Sequence, residues 1–148
     1  MVNNSHKTDG SLKIPKKLKL EEITVGHLKI NDEYDIISNN ATIVESAKKM
    51  KEKCIPDLVV VDDDNKVLGT VSTFDIVSKI VADSKSTDVH ITEIMEKVSP
   101  FSLTTKITDA FDEMKEKQVE VVPVTNDKNK LLGVVTVMDV FSAIEAFS

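Results

Sequence analysis

Hydrophobic positions along the chain change period in a fixed order, and they do so twice. Ile43, Ala47, Met50 and Cys54 stand at helical spacing, as do Ile107, Ala110, Phe111 and Met114, and each set predicts an amphipathic helix of about ten residues with those side chains turned to a core. A β-branched run follows each helix, Leu58-Val59-Val60-Val61 and Val121-Val122-Pro123-Val124. Continuous apolarity over so few residues predicts a short strand covered on both faces. The turn formers of 62–66 and 125–130 then lead into Val67–Val71 and Leu131–Val135, so each copy predicts a hairpin. A second helix closes each copy, with Phe74, Ile76, Val77, Ile80 and Val81 as apolar positions in one and Met138, Val140, Phe141, Ile144 and Phe147 in the other. Opening strands are predicted at Ile36-Ile37 and at 101–103, each preceded by a short helical turn, near 24–28 and 91–95.

The two runs are copies of one unit. Shifting the sequence by 64 positions aligns Ile43 through Asp75 with Ile107 through Asp139 without a gap, setting Met50–Lys53 on Met114–Lys117 and Leu68-Gly69 on Leu132-Gly133. Each copy reads β-α-β-β-α, an α/β (α+β) unit too small to cover its own sheet, and two such copies packed sheet to sheet would bury both faces. The expected division is a basic, flexible tail over 1–19, a first repeat over 20–84 and a second over 85–148.

Composition narrows the chemistry. The 148 residues suffice for a core without disulfides or metal, and 41% hydrophobic with 30% charged is ordinary for a globular chain. All 19 basic residues are lysine, so no guanidinium fork exists to clamp phosphate or read guanine. The net charge of −6 divides into +4 over 1–19 and −10 over the rest, so the body repels polyanions and only the tail leaves a weak nucleic-acid alternative. Cys54 is the single cysteine, and with His6, His27 and His90 it forms no zinc spacing and no disulfide. Cys54 itself is read as a small buried hydrophobe, and His27 and His90 as surface or capping residues. The triple aspartate 62–64 lacks the glycine and distal glutamate of a calcium loop. Residues 1–17 lack the apolar stretch of a signal peptide, and the longest aliphatic run, Leu58–Val61, falls far short of the roughly 20 residues a bilayer requires. A cytoplasmic protein is expected, without metal, membrane span or catalytic triad, and therefore not an enzyme.

The candidate chemistry sits where strand meets second helix, Gly69-Thr70-Val71-Ser72-Thr73-Phe74-Asp75 and Gly133-Val134-Val135-Thr136-Val137-Met138-Asp139. A hydroxyl three residues before a carboxylate is a capping box, in which Ser72 or Thr136 accepts from a first-turn N–H. The same atoms suit a nucleotide, because free N–H groups and a hydroxyl can take a phosphate while an aspartate accepts both hydroxyls of a ribose. Both readings remain open on spacing alone.

With this junction in tandem, residues 20–147 resemble a CBS-domain pair, or Bateman module, most specifically over Val119–Asp139, which includes Pro123-Val124. The resemblance implies two repeats related by pseudo-twofold symmetry, with an adenosyl ligand held in clefts between them and no cofactor required. It implies that Asp75 and Asp139 hold ribose while Ser72 and Thr136 face phosphate. It further implies that Thr136 and Asp139 work with Thr24, Val25, Ile55 and Pro56, and that Ser72 and Asp75 work with His90, Ile91, Val119 and Glu120. Val59 stands where the second copy has Pro123, which implies a different backbone path beside the base at the Asp139 site. Glu120 would disfavour anions at the Asp75 site and favour a sulfonium over ATP. Without arginine, and with only Lys29, Lys79 and Lys106 near, ligands with few phosphates rank first: AMP or ADP, then S-adenosylmethionine or methylthioadenosine, then ATP. The surplus of apolar helix positions, Phe74, Val77, Val81, Met138, Phe141 and Phe147, implies a homodimer, and the regulated partner protein is unknown. The alternative from another class is a ligand-free oligomerisation scaffold whose junctions are only helix caps.

Overall fold

The computed structural model describes residues 18–32 and 34–147. The expectation of a flexible tail over 1–19 therefore falls outside the described residues except at Leu18 and Lys19, and Leu18 packs against a hydrophobic core. The described residues form two compact units. One takes 34–99 with Lys128–Leu131, and the other takes 18–32, Pro100–Asp127 and 132–147.

The unit built on the first copy holds three strands, β1 (Ile36–Ser38), β2 (Asp57–Val61) and β3 (Val67–Ser72). β1 runs parallel to β2, and β2 antiparallel to β3, with Ile36 opposite Val59 and Leu58 opposite Val71. Helix α1 (Ile43–Lys53) starts in a capping box: the Glu45 N–H donates to Thr42 Oγ1 at 3.3 Å, and the Thr42 N–H donates back to Glu45 Oε1 at 2.8 Å. It ends on Cys54, whose φ of 56° turns the chain into the left-handed region. Cys54 is therefore exposed, not buried as its spacing suggests: the apolar rhythm runs through it, but the helix stops one residue earlier. Gln118 takes the same left-handed cap after the second copy's helix. The four apolar residues of β2, Leu58–Val61, are all buried, as a strand covered on both faces requires. Helix α2 (Thr73–Ile76) continues into a π-helical turn, Val77–Val81.

The unit built on the second copy contains α3 (Ile107–Lys117), β4 (Val121–Thr125), β5 (Leu131–Thr136) and α4 (Val137–Phe147). The opening strand expected at 101–103 shrinks to one parallel bridge, Phe101 to Val124. Its two hydrogen bonds, Phe101 N–H to Pro123 O at 2.9 Å and Thr125 N–H to Phe101 O at 3.0 Å, still hold Phe101 in the core.

The leading segments are exchanged between copies. Ile23, Val25 and Leu28, which precede the first copy, are buried in the core of the second-copy unit with Ile107, Met114 and Val135. The Ile107 N–H donates to Ile23 O at 2.9 Å, and the Val134 N–H to Ile30 O at 2.8 Å. Conversely Ile91 and Ile94, which follow the first copy, join the core of the first-copy unit with Ile43, Leu58 and Val71. There Glu96 pairs with Thr70 of β3, each N–H donating to the other's carbonyl, at 2.8 and 2.9 Å. Each junction strand thus receives a covering segment from outside its own β-α-β-β-α copy.

Candidate functional site

The two strand-to-helix junctions have the same backbone frame. In the first, the Ser72 N–H donates to Asp75 Oδ2 at 2.9 Å and the Asp75 N–H donates to Ser72 Oγ at 3.0 Å. In the second, the Thr136 N–H donates to Asp139 Oδ2 at 2.9 Å and the Asp139 N–H to Thr136 Oγ1 at 3.1 Å. In each box the hydroxyl spends a lone pair on the helix, and its hydrogen has no acceptor among the described residues. Glycine is required three residues before each hydroxyl because the covering segment passes so close. A Cβ on Gly69 would lie 2.4 Å from Glu96 O, and one on Gly133 would lie 1.9 Å from Ile30 O.

The remaining candidate residues divide between the units. Ile55 and Pro56 lie in the same unit as Ser72 and Asp75, where the Thr73 N–H donates to Pro56 O at 2.9 Å. Val119 and Glu120 lie with Thr136 and Asp139, where the Val137 N–H donates to Glu120 O at 2.9 Å. Thr24 and Val25 belong to this second unit, and His90 and Ile91 to the first. Of the two groupings that the resemblance implies, each therefore has its Ser/Thr–Asp pair and its leading turn in one unit, and its Ile55-Pro56 or Val119-Glu120 element in the other. Val25 and Ile91 are both 0% exposed and place their side chains in the two cores, whereas Thr24 is half-buried and His90 exposed. His27 caps its own turn: the Thr24 N–H donates to its Nδ1 at 3.0 Å. On the helix side of the first junction Met50, Cys54, Ile55, Pro56 and Val77 line an open apolar groove of about 470 Å³.

The junctions differ at their carboxylates. Asp75 is buried, and its second oxygen, Oδ1, pairs with Lys79 Nζ at 3.2 Å. Lys79 also donates to Ile94 O at 2.9 Å and pairs closely with Glu96. Asp139 is half-buried, and its Oδ1 has no partner among the described residues. Lys79 was visible in the sequence as a nearby cation, but its bond to Glu96 was not, because Glu96 lies outside the aligned copies. The contrast itself is readable from the 64-residue shift, which sets Lys79 against Ala143.

Burial is the largest single influence on Lys79 and pushes its pKa down, but the hydrogen bonds and charges of Glu96 and Asp75 together outweigh it. The net result is a pKa above the 10.5 of an ordinary lysine. A folded value above the unfolded one contributes stability that is complete below pH 10.5 and lost as pH rises through the raised value. Thermal unfolding followed from pH 9 to 12 is expected to show the wild type losing more stability than Lys79→Gln above about pH 10.5. Parallel curves would remove Lys79 as a contributor.

No metal-binding cluster of histidine, cysteine or carboxylates occurs among the described residues. Nor is any helix among them long and apolar enough to cross a membrane.

Two copies of one mixed α/β unit, each ending in a glycine-supported Ser/Thr–Asp box, define a tandem-repeat module. The sequence model of the CBS domain matches residues 25–82 and again 91–146, and the chain belongs to the CBS domain family. An uncharacterized 17.7 kDa protein of Acidianus ambivalens is 34% identical over 110 residues, which cover 74% of this chain and 66% of that protein. The chain spans 66%, 56% and 40% of the length of three curated relatives it matches. Among solved structures, the CBS domain pair of protein MJ0100, in complex with 5′-methylthioadenosine and S-adenosyl-L-methionine, is similar with a TM-score of 0.70 at 26% identity, covering 84% of this chain and 98% of that one. The CBS domain protein PAE2072 of Pyrobaculum aerophilum, complexed with AMP, shares the fold with a TM-score of 0.71 at 23% identity, covering 79% and 89%.

Proposed function

We propose that this chain is a regulatory, non-catalytic module that binds an adenosyl ligand, AMP or ADP first and S-adenosylmethionine or methylthioadenosine next, through its two Ser/Thr–Asp junctions. The observation that carries the reading is the repeated box. At Ser72–Asp75 and again at Thr136–Asp139 a hydroxyl with an unused hydrogen stands beside a carboxylate already oriented by a backbone N–H. A carboxylate is an acceptor only, so it suits the two donor hydroxyls of a ribose, while the Ser or Thr hydroxyl donates to the 5′ substituent. The orienting N–H fixes each carboxylate before a ligand arrives, so little side-chain freedom is lost on binding. MJ0100 and PAE2072, solved with adenosyl ligands, support the same class of ligand here.

Binding then shifts the module between arrangements by as much as its affinities for them differ, and that difference is what a regulated partner reads. Phe74, Val77 and Val81 are 74%, 56% and 65% exposed, and Met138 and Phe141 are 64% and 50% exposed, which supports a homodimer closing over these helix faces. The same faces favour the second reading, a ligand-free scaffold in which both boxes are caps alone.

A thermal-shift screen of the full chain with AMP, ADP, ATP, S-adenosylmethionine and methylthioadenosine separates the two. At 100 times its dissociation constant a true ligand adds about 2.7 kcal/mol, or roughly 5–10 °C in Tm for a chain of this size. No shift with any of the five would leave the scaffold.

A further inference from the structure

The two junctions share a backbone frame but not a charge state, and the difference is confined to one pair of positions. At the first, Lys79 Nζ bridges Asp75 Oδ1 and Glu96 while donating to Ile94 O. At the second, the residue four places past Asp139 is Ala143, fully buried in the core. Where Glu96 pairs with Thr70 by two hydrogen bonds, the backbone that meets the second junction strand is that of Ile30, whose carbonyl accepts from the Val134 N–H. A lysine–glutamate pair in one unit is thus an alanine–isoleucine pair in the other. Without a lysine at 143, Asp139 has no ammonium one turn along its helix, and Ile30 brings no charge to replace it.

We infer that Lys79 and Glu96 act as a latch that holds the Asp75 junction closed to ligand, so that the Asp139 junction is the first of the two to bind. The inference rests on the adenosyl reading above and adds the order of occupancy and the residues that set it. A ribose needs the acceptor capacity of the aspartate. Asp139 offers an oxygen with no partner among the described residues, whereas Asp75 has one oxygen on the Ser72 N–H and the other on an ammonium. Lys79 lies four residues beyond Asp75 and seven beyond Ser72. It takes Oδ1, the oxygen that the Ser72 N–H leaves open, and so gates the carboxylate itself. Glu96 belongs to the segment that covers β3, so opening the latch also frees the side chain of that segment.

Calorimetric titration of the full chain with AMP tests the order. The wild type should bind in two phases, Asp139→Asn should lose the tighter, and Asp75→Asn should lose the weaker. In the Asp139→Asn background, Lys79→Met should tighten the remaining site about fivefold, the worth of one partly exposed ion pair. Lys79→Gln serves as a second variant should the methionine form unfold. Tightening is not a result that damage to the fold can produce. Loss of the tighter phase in Asp75→Asn, equal affinities in the wild type, or weaker or unchanged binding on removing Lys79 would each overturn the latch while leaving adenosyl binding intact. Absence of heat with every protein would instead overturn the adenosyl reading, and the latch with it.

Discussion

Gly133→Ala is expected to destabilise the protein by about 2–4 kcal/mol, a large share of a domain's total stability. The new Cβ would lie 1.9 Å from the carbonyl oxygen of Ile30, a contact no rotamer can relieve because both groups are backbone. The chain must then separate β5 from the segment leading out of Leu28, losing the 2.8 Å hydrogen bond from the Val134 N–H to Ile30 O. An unpaired buried N–H adds a further cost of its own. Gly26→Ala is a graded control, since its Cβ would stand 2.9 Å from Leu103 O and a smaller adjustment suffices. Urea denaturation of the two variants reads the difference directly. A loss below about 0.5 kcal/mol for Gly133→Ala would mean that Ile30 does not cover β5 in solution.

Asp139→Ala should weaken AMP binding at its junction by about a hundredfold, as the loss of two hydrogen bonds to a charged acceptor requires. Calorimetry measures this directly, and the ligand-induced rise in Tm should fall with it. The substitution also removes the acceptor for the Thr136 N–H, so the free protein is expected to lose about 1 kcal/mol as well. Thr136→Ala separates the two effects: it removes the cap for the Asp139 N–H and one donor to the 5′ substituent but leaves the carboxylate, so it should lower stability similarly while weakening binding only about tenfold. A loss for Asp139→Ala no larger than that for Thr136→Ala would remove the ribose role of Asp139.

The repeat, the order of elements and both junctions were legible in the sequence, because each depends on contacts within a few residues: helical spacing from Ile43 to Met50, β-branched runs, and a hydroxyl three residues before an acid. The exchange of leading segments was not written in the periodicity; only the resemblance, which groups Thr24 and Val25 with Asp139 and His90 and Ile91 with Asp75, implied it. Val25 and Leu28 have the same three-residue spacing as Ile91 and Ile94, and each turn presents two aliphatic side chains to a core. A pattern that fits both sheets cannot choose between them; the choice is made by long-range backbone pairing, Ile30 on Val134 and Glu96 on Thr70. Cys54 failed for a related reason. Its spacing extends the helix, but a left-handed cap is set by where the chain must turn toward Asp57, and the same cap recurs at Gln118 before Val121. At the site, the acids and hydroxyls were legible as types, while the state of Asp75 depends on Glu96, twenty-one residues away in the sequence.

The exchanged segments impose a schedule on synthesis. Apart from the turn Lys128–Leu131, everything in the first-copy unit lies within a continuous stretch that ends near Ser99, so that unit can close while the rest of the chain is still being made. Ile23, Val25 and Leu28 are translated before any of it, yet the core they enter also needs Val140 and Ala143 of the last helix. At about 5–20 residues per second, their apolar face waits on the order of ten seconds, during which the first-copy unit can already have folded. Among the residues of the two cores, Ile23, Val25 and Leu28 are the first to leave the ribosome and among the last to be buried.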